Sequence, residues 1–572
     1  MNLATGINTY QISINTVKSR SITHCLKSLS PPSRGSFSSN LKPFSPLLHR
    51  FPFTKMSVTS TVESPRVLST LHLSNKASIK SDNPLLERSF ASQPHGLPPF
   101  SKITPSLFNE AFQVAMNDHL EEINFIANND APPTFSNTVE SLDIAGGLLD
   151  DVSRVFGVLC ASVTNDELQA IERDISPRLA AHSQQVYANA ALFARLDAVY
   201  SVRETLSLTP EQLRLIERIH LDFVRAGAKF DEDKKSSYKD IVTRLAELQT
   251  QFSQNVLGDE TEFTIKMSLD DLAGCPSDLI AAARQASIER GGAEGEYVIT
   301  LSRSLVEPFL TFSTRRDLRE KAWKAWTKRG ELSEKRDNLA VAGETLRLRS
   351  RQASMHGHAS FAAYQHADTM AKTPEAVLQL LQTVWPKAKI AAEKERAALA
   401  EYASRLSNGD EAINQVEPWD WRFIAEKVRS ERFNFDEAAL KPFLSLDKVT
   451  DAIFDCAFNL FGLRFVHKPE LSSFHPDAKV YEVYEDSKLV AIFVHDNFAR
   501  KGKQGGAWMS ELRTQSRNGA TVIPVITNNN NFSRGETVTL LSWDDCITLF
   551  HEFGRKYLIN YGNCARNPYL TL

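Results

Sequence analysis

Apolar residues recur at intervals of three and four along most of the chain from Asn83 onward, and this period restricts the fold more than any other feature of the sequence. It is the period of an amphipathic helix, which must bury its apolar face against a neighbouring element. Residues 237–257, 315–348 and 374–406 show it with few helix breakers. We therefore predict a mainly α protein in which long antiparallel helices are joined by short loops.

The period changes near Lys479. Residues 480–484 and 489–494 are rich in β-branched and aromatic side chains and flank a polar turn, which predicts a β-hairpin. A third extended run, 521–527, contains Pro524, which has no N–H to donate to a central ladder. This run is therefore predicted to be an edge strand able to bind an extended peptide, and a small β-sheet is expected in this part of the chain.

Size and composition narrow the class of protein. A chain of 572 residues exceeds what one hydrophobic core usually serves, so two or more lobes are expected. The formal net charge of -3 gives no electrostatic reason to propose nucleic acid as a partner. No apolar run reaches the roughly 18 residues that a membrane span needs. The six cysteines lie far apart without a C-x-x-C pair, which indicates a reducing compartment.

The first segment has the composition of a targeting signal. From Met1 to Val62 the chain has no Asp or Glu, while Lys and Arg are interspersed among many serines. This is typical of an organellar transit peptide, predicted over residues 1–80, and the alternative is a disordered tail without a targeting role. The abundance of serine favours the chloroplast stroma over the mitochondrial matrix, and Met56 could start a cytosolic form.

Near its end the chain carries part of a metal motif. Ser542 followed by Asp545 resembles a capping box, so a helix is predicted to begin about Trp543. On that helix His551 and the residue four positions later share a face, as the two zinc ligands of an H-E-x-x-H motif do. Glu552 would take the proton of zinc-bound water in such a site. Taken alone, a histidine between Phe550 and Phe553 is more often a partly buried packing residue than a zinc ligand.

Several segments resemble the thimet oligopeptidase and oligopeptidase A family of zinc peptidases. Residues 549–554, Leu-Phe-His-Glu-Phe-Gly, resemble the metal helix of that family, and residues 498–509 resemble its Gly-rich loop at the active cleft. Without the family, the loop could be a flexible turn with no direct role. Shorter matches follow in family order at residues 97–100, 137–140, 223–228, 337–338, 370–374 and 418–420. The resemblance spans about residues 84–554.

The resemblance implies a fold and a function. It implies a mainly α fold with two helical lobes around a deep substrate channel, and a small β-sheet beside the H-E-x-x-H-type helix of a zincin-like lobe. The expected division is an N-terminal helical domain at 83–260, a catalytic domain at 261–554 and a non-family tail at 555–572. A monomer that hydrolyses short unstructured peptides, such as cleaved targeting peptides, is expected. Its site would contain one zinc ion, the ligand His551, the catalytic Glu552, and the substrate-binding residues Gly505, Gly506, Ala507 and Asn531.

The chain departs from the family pattern at Arg555, which stands at the position of the second zinc ligand. The third ligand of the family, a glutamate on a later helix, is absent, and Arg555 is spaced to pair with Glu552. Residues 556–572 show no helical period, which suggests a retained intron, a splice form or a gene-model error. Two hypotheses remain: a zinc endopeptidase whose catalytic lobe is truncated here, and an inactive isoform that binds peptides or a partner.

Overall fold

The computed structural model describes residues 81–406, 413, 415–433, 437–471, 473–516, 518, 521–535 and 537–561. For residues 437, 438 and 555–561 it describes the backbone only. The predicted transit peptide and residues 562–572 lie outside the described residues. All described residues belong to one unit of the chain. Within these ranges no helix combines the length and the apolar character that crossing a bilayer requires.

The protein is mainly helical, as the sequence predicts. Short 3-10 turns lead from Pro84 to Leu107 into the first long helix. The helices up to residue 262 are α1 (Phe108–Ala127), α2 (Ser141–Ile144), α3 (Gly147–Val163), α4 (Asp166–Tyr187), α5 (Ala190–Ser201), α6 (Pro210–Arg225) and α7 (Glu232–Glu262). The predicted helix at 237–257 lies within α7, which packs against α4 and buries Ile241 and Leu248.

The later helices alternate with two sheets. They are α8 (Ser277–Ile288), α9 (Arg303–Phe312), α10 (Arg316–Thr327), α11 (Asn338–Met355), α12 (Phe361–His366), α13 (Pro374–Leu406), α14 (Trp421–Phe433), α15 (Glu437–Leu440), α16 (Leu446–Phe461) and α17 (Trp543–Tyr561). The stretch of helical period at 315–348 is divided between α10 and α11. Gly330 adopts φ 86° between α10 and α11, and its backbone N–H donates to Asp259 at 2.7 Å, so the chain turns there.

The strands form a two-stranded and a five-stranded sheet. The first consists of β1 (Thr264–Met267) and β2 (Tyr297–Thr300), which pair antiparallel. The second contains β3 (Leu463–His467), β4 (Lys479–Glu485), β5 (Lys488–Phe498), β6 (Trp508–Arg513) and β7 (Val525–Phe532) in the order β3-β4-β5-β7-β6. The predicted hairpin is confirmed, because β4 and β5 pair antiparallel around a turn that joins Glu485 to Lys488.

The prediction of an edge strand at 521–527 is wrong. Strand β7 begins only at Val525 and lies inside the sheet, parallel to β5 and antiparallel to β6. Pro524 precedes the strand, so its missing N–H removes no ladder bond, while its carbonyl accepts from the N–H of Ile492 at 3.0 Å. The edge on this side is β6, which sequence reasoning missed because it lacks a β-branched run.

Helix α17 covers one face of the larger sheet together with α16. It begins at Trp543, as predicted, and the reciprocal cap is present: Asp545 N donates to Ser542 Oγ at 3.0 Å, and Ser542 N donates to Asp545 Oδ2 at 3.1 Å. The helix continues to Tyr561. The prediction of no helix from residue 556 onward is therefore wrong for residues 556–561. Leu549 and Phe553 anchor α17 in an aromatic core with Phe493.

Candidate functional site

His551 and Glu552 lie side by side on α17 but in different surroundings. Cys546, Leu549 and Phe553 are buried and turn one face of the helix to the sheet. The His551 side chain is 66% exposed, whereas that of Glu552 is 6% exposed, and His551 Nε2 lies 3.9 Å from Glu552 Oε1. The imidazole therefore points to solvent, while the carboxylate lies at the border of the core.

These residues do not fit a resident zinc ion. A catalytic zinc site has three protein ligands. Across the part of the chain that the structure describes, no three His, Cys, Asp or Glu side chains come close enough to hold a metal. The residue four positions after His551 is Arg555, a permanent cation that cannot act as a ligand. The predicted ion pair between Arg555 and Glu552 falls on a side chain outside the described residues.

The Gly-rich segment, residues 501–507, joins β5 to β6 and holds three predicted substrate-binding residues. A Cβ on Gly505 would lie 3.3 Å from Oε2 of Glu260 on α7, whose carboxyl pKa is raised by burial. Gly506 adopts φ 94° and has open space on its Cβ side. Ala507 immediately precedes β6 and is half-buried. The structure thus places all three at the base of the sheet edge, and their binding of substrate stays a prediction.

Asn531, the fourth predicted substrate-binding residue, lies in β7. Its amide nitrogen donates to the carbonyl oxygens of Gln504 at 2.7 Å and Gly506 at 2.6 Å, and so holds the Gly-rich segment. Residues 528–531 do not form a solvated loop, because Asn528, Asn529 and Asn530 are buried within the strand. Contact of Asn531 with a substrate stays a prediction.

A buried cluster of charges at the start of the Gly-rich segment escaped sequence reasoning. Asp496, Arg500 and Lys503 follow one another at intervals of four and three residues. Arg500 donates to both carboxylate oxygens of Asp496, at 2.8 and 2.7 Å, and Lys503 Nζ lies 3.0 Å from Oδ2. Burial lowers the pKa of Lys503 to about 8, which leaves the ammonium charged at neutral pH. The spacing of Asp496, Arg500 and Lys503 is visible in the sequence. It did not suggest a buried cluster, because lysine is almost never fully buried.

Comparison with known proteins identifies the family. The mainly helical fold and the His551-Glu552 helix beside a small sheet are features of a peptidase of the metallo class. Residues 309–557 match the family model described as Peptidase family M3. The chain is 38% identical over 496 residues to dipeptidyl carboxypeptidase of Escherichia coli (strain K12), covering 86% of this chain and 71% of that protein. The chain therefore belongs to peptidase family M3, and the predicted family is confirmed.

Two further relatives carry the oligopeptidase A name. Oligopeptidase A of Escherichia coli (strain K12) is 31% identical over 487 residues, which cover 82% of this chain and 69% of that protein. Organellar oligopeptidase A, chloroplastic/mitochondrial, of Arabidopsis thaliana is 28% identical over 494 residues, which cover 83% of this chain and 61% of that protein. Peptidases of this family are metallopeptidases that act on oligopeptides.

Proposed function

We propose that this protein handles short unstructured peptides, such as cleaved targeting peptides and other degradation fragments, and that residues 1–572 bind such peptides without hydrolysing them rapidly. The family supports the first part, since its members are peptidases. Arg555 supports the second, because it stands where a zinc ligand is required and the described residues supply no complete ligand set. Zinc endopeptidase activity belongs to the proposal only for a form of the protein in which three ligands meet.

The position of β6 at the edge of the sheet is the observation that supports the proposed peptide binding. Among the described strands, β6 pairs only with β7, and its residues 508–510 are half-buried. At the far end of β6, Arg154 of α3 donates to the carbonyl of Glu511 at 3.2 Å. Helix α17, with His551 and Glu552, packs against both β6 and β7. An extended peptide can add to such an edge through main-chain hydrogen bonds, with the Gly-rich segment at one end.

The test measures binding, metal and turnover on the same purified chain. A quenched fluorescent peptide reports cleavage, a labelled copy reports affinity by anisotropy, and elemental analysis reports zinc. We expect saturable binding, zinc well below one ion per chain and no chelator-sensitive turnover. Arg555→His should raise zinc content, because it puts two imidazoles on one helix face, whereas the matched control Arg555→Lys should not. Stoichiometric zinc with chelator-sensitive turnover in the unaltered chain would refute the inactive state, and absence of saturable binding would refute peptide binding.

A second candidate is recognition of the peptide's carboxyl end. It is favoured by the 38% identity to a protein named dipeptidyl carboxypeptidase, against 31% for one named oligopeptidase A. An enzyme that removes dipeptides from the carboxyl end must capture the terminal carboxylate. The same labelled peptide with a free and with an amidated carboxyl terminus separates the two. Loss of about 1.4 kcal/mol, or tenfold, on amidation would favour the carboxypeptidase type, and equal affinity favours an endopeptidase type.

We also propose an organellar location, in the chloroplast stroma or the mitochondrial matrix, with a cytosolic form from Met56. The acid-free, serine-rich start supports it. Relatives named organellar and cytosolic oligopeptidase A both exist in Arabidopsis thaliana. Fusing residues 1–80 to a fluorescent protein in plant cells tests the address. Import into an organelle is expected, and the same fusion begun at Met56 should stay in the cytosol.

A further inference from the structure

The buried ammonium of Lys503 lies where the ladder between β5 and β7 opens. The pairing runs in register to Asp496 and Asn529 and then slips, so that Phe498 pairs with Phe532. Lys503 Nζ donates to three carbonyl oxygens in this opening: that of Asp496 at 3.2 Å, that of Phe498 at 2.9 Å and that of Asn530 at 2.6 Å. Oδ2 of Asp496 lies 3.0 Å from the same nitrogen, so four acceptors share the three N–H donors of the ammonium. One side chain thus joins the ends of both strands.

Arg500 extends this arrangement to the N-terminal helices. While its two terminal nitrogens bind Asp496, its Nε donates to the carbonyl of Ser162 near the end of α3 at 2.9 Å. Two backbone bonds run alongside, from Thr164 N to Gly502 O and from Gln504 N to Ala161 O, each 2.8 Å long. The Gly-rich segment is therefore seated on the end of α3, and it is not a free turn.

The far end of the segment is held by Asn531 alone among the side chains of β7. Its amide spans Gln504 and Gly506, while Lys503 fixes the carbonyl of Asn530, the preceding residue. The position of the Asn531 amide therefore depends on the ammonium through one peptide unit. Titratable groups that face Lys503 are Asp496 on β5, Arg500 just before the segment, and Asp477 and His475 before β4.

We propose that Lys503 is a positioning residue whose buried ammonium fixes the geometry of the opening between β5 and β7. With that geometry fixed, Asn531 and the end of α3 hold the Gly-rich segment and the start of β6 in place for a bound peptide. The inference rests on the proposed peptide binding. The cation is essential to it, because an apolar side chain of the same length removes the Lys503 donor from three carbonyl oxygens. The residue acts through the segment and touches no peptide itself.

Variants of Lys503 and of Lys501 test the proposal. Lys503→Met keeps the side-chain volume and removes the cation, Lys503→Arg keeps a cation, and Lys501→Met is the matched control, since Lys501 is an exposed lysine of the same segment. Hydrogen exchange of residues 499–510 measures order, and anisotropy measures the affinity for the labelled peptide. For Lys503→Met we expect exchange in this segment, and the dissociation constant, each to rise by about tenfold or more.

Recovery of function separates positioning from general stability. In Lys503→Ala, added propylammonium should restore segment protection and peptide affinity, whereas propanol of the same chain length should not. Lys503→Arg should retain both in part, and Lys501→Met should behave as the unaltered protein. Equal effects of Lys503→Met and Lys501→Met, or rescue by propanol, would overturn the proposal. Faster exchange without loss of affinity would overturn the link to peptide binding. If the unaltered chain binds no peptide at all, the proposed function is refuted, and hydrogen exchange still tests whether Lys503 orders the Gly-rich segment.

Discussion

Lys503 Nζ lies 3.0 Å from Oδ2 of Asp496, and neither side chain reaches solvent. Arg500 binds both oxygens of the same carboxylate. Two cations therefore share one anion inside the protein, and Lys503 also donates to three backbone carbonyls. Such an arrangement is sensitive to the loss of the anion, because Lys503 would then stay fully buried, and Arg500 largely so, without this countercharge.

Asp496→Asn should lower the free energy of unfolding by about 3–5 kcal/mol, the usual cost of breaking a buried pair by removing one partner. Urea unfolding followed by circular dichroism measures it. The control is Asp455→Asn, the same change at an exposed position of α16, which should stay within about 0.5 kcal/mol of the unaltered protein. Equal stabilities of the two variants would contradict the assigned role of the cluster.

The periodic parts of the fold were predictable from the sequence. Apolar spacing located α7 and α13, β-branched runs located the β4–β5 hairpin, and the Ser542–Asp545 spacing located the start of α17. Each is a local pattern that follows from the geometry of one element. The resemblance to known motifs then identified the family.

The position of β7 was not predictable, because strand order depends on pairing between distant segments. Asparagine disfavours strands, yet residues 528–530 are buried in one, where β5 and β6 pair with it on both sides. The use of Asn531 to hold Gln504 and Gly506 is likewise a tertiary contact. The sequence therefore predicted which residues belong to the candidate site, but it did not predict their contacts with one another.

Gly502 and Gly506 form a matched pair in the Gly-rich segment. Both have positive φ, 78° and 94°, but a Cβ on Gly502 would lie 2.3 Å from the carbonyl oxygen of Thr164, whereas that on Gly506 meets nothing. Alanine at either position should cost about 1–2 kcal/mol in backbone strain. Gly502→Ala should in addition lift the segment from α3 and speed hydrogen exchange of residues 499–510. Comparable exchange in both variants would show that the contact with Thr164 does not seat the segment.

Gly146 and Gly147 offer a second pair at the start of α3. Gly146 adopts φ 82°, and a Cβ there would lie 3.1 Å from the ring of His119, while Gly147 has open space. Gly146→Ala should destabilise the protein by about 1–3 kcal/mol, from the left-handed backbone and the ring contact. Gly147→Ala should be neutral or stabilising by up to about 1 kcal/mol, because alanine suits a helix better than glycine. Thermal and urea unfolding measure both, and a reversed order would contradict the assigned backbone conformation.

His119 of α1 and His182 of α4 are a buried pair, with Nδ1 of the first 3.0 Å from Nε2 of the second. Burial lowers the pKa of His119 to about 3, and burial lowers the pKa of His182 to about 4. An unfolded histidine titrates near 6.5, so below that pH the unfolded chain binds more protons than the folded one. Stability is therefore complete above about pH 6.5 and falls as the pH drops toward the folded pKa values, by up to about 1.4 kcal/mol per pH unit for each histidine.

His119→Phe should weaken this pH dependence. At about pH 7 the variant should lose about 1 kcal/mol, the worth of one hydrogen bond, and at about pH 5 it should equal or exceed the unaltered protein, because one of the two protonation penalties is gone. Urea unfolding at the two pH values measures the difference of slopes, which cancels the carboxylates that both proteins share. His467→Phe, at an exposed histidine of β3, is the control and should keep the slope of the unaltered protein. A His119→Phe slope as steep as the control would mean that the His119–His182 pair does not govern acid stability in this range.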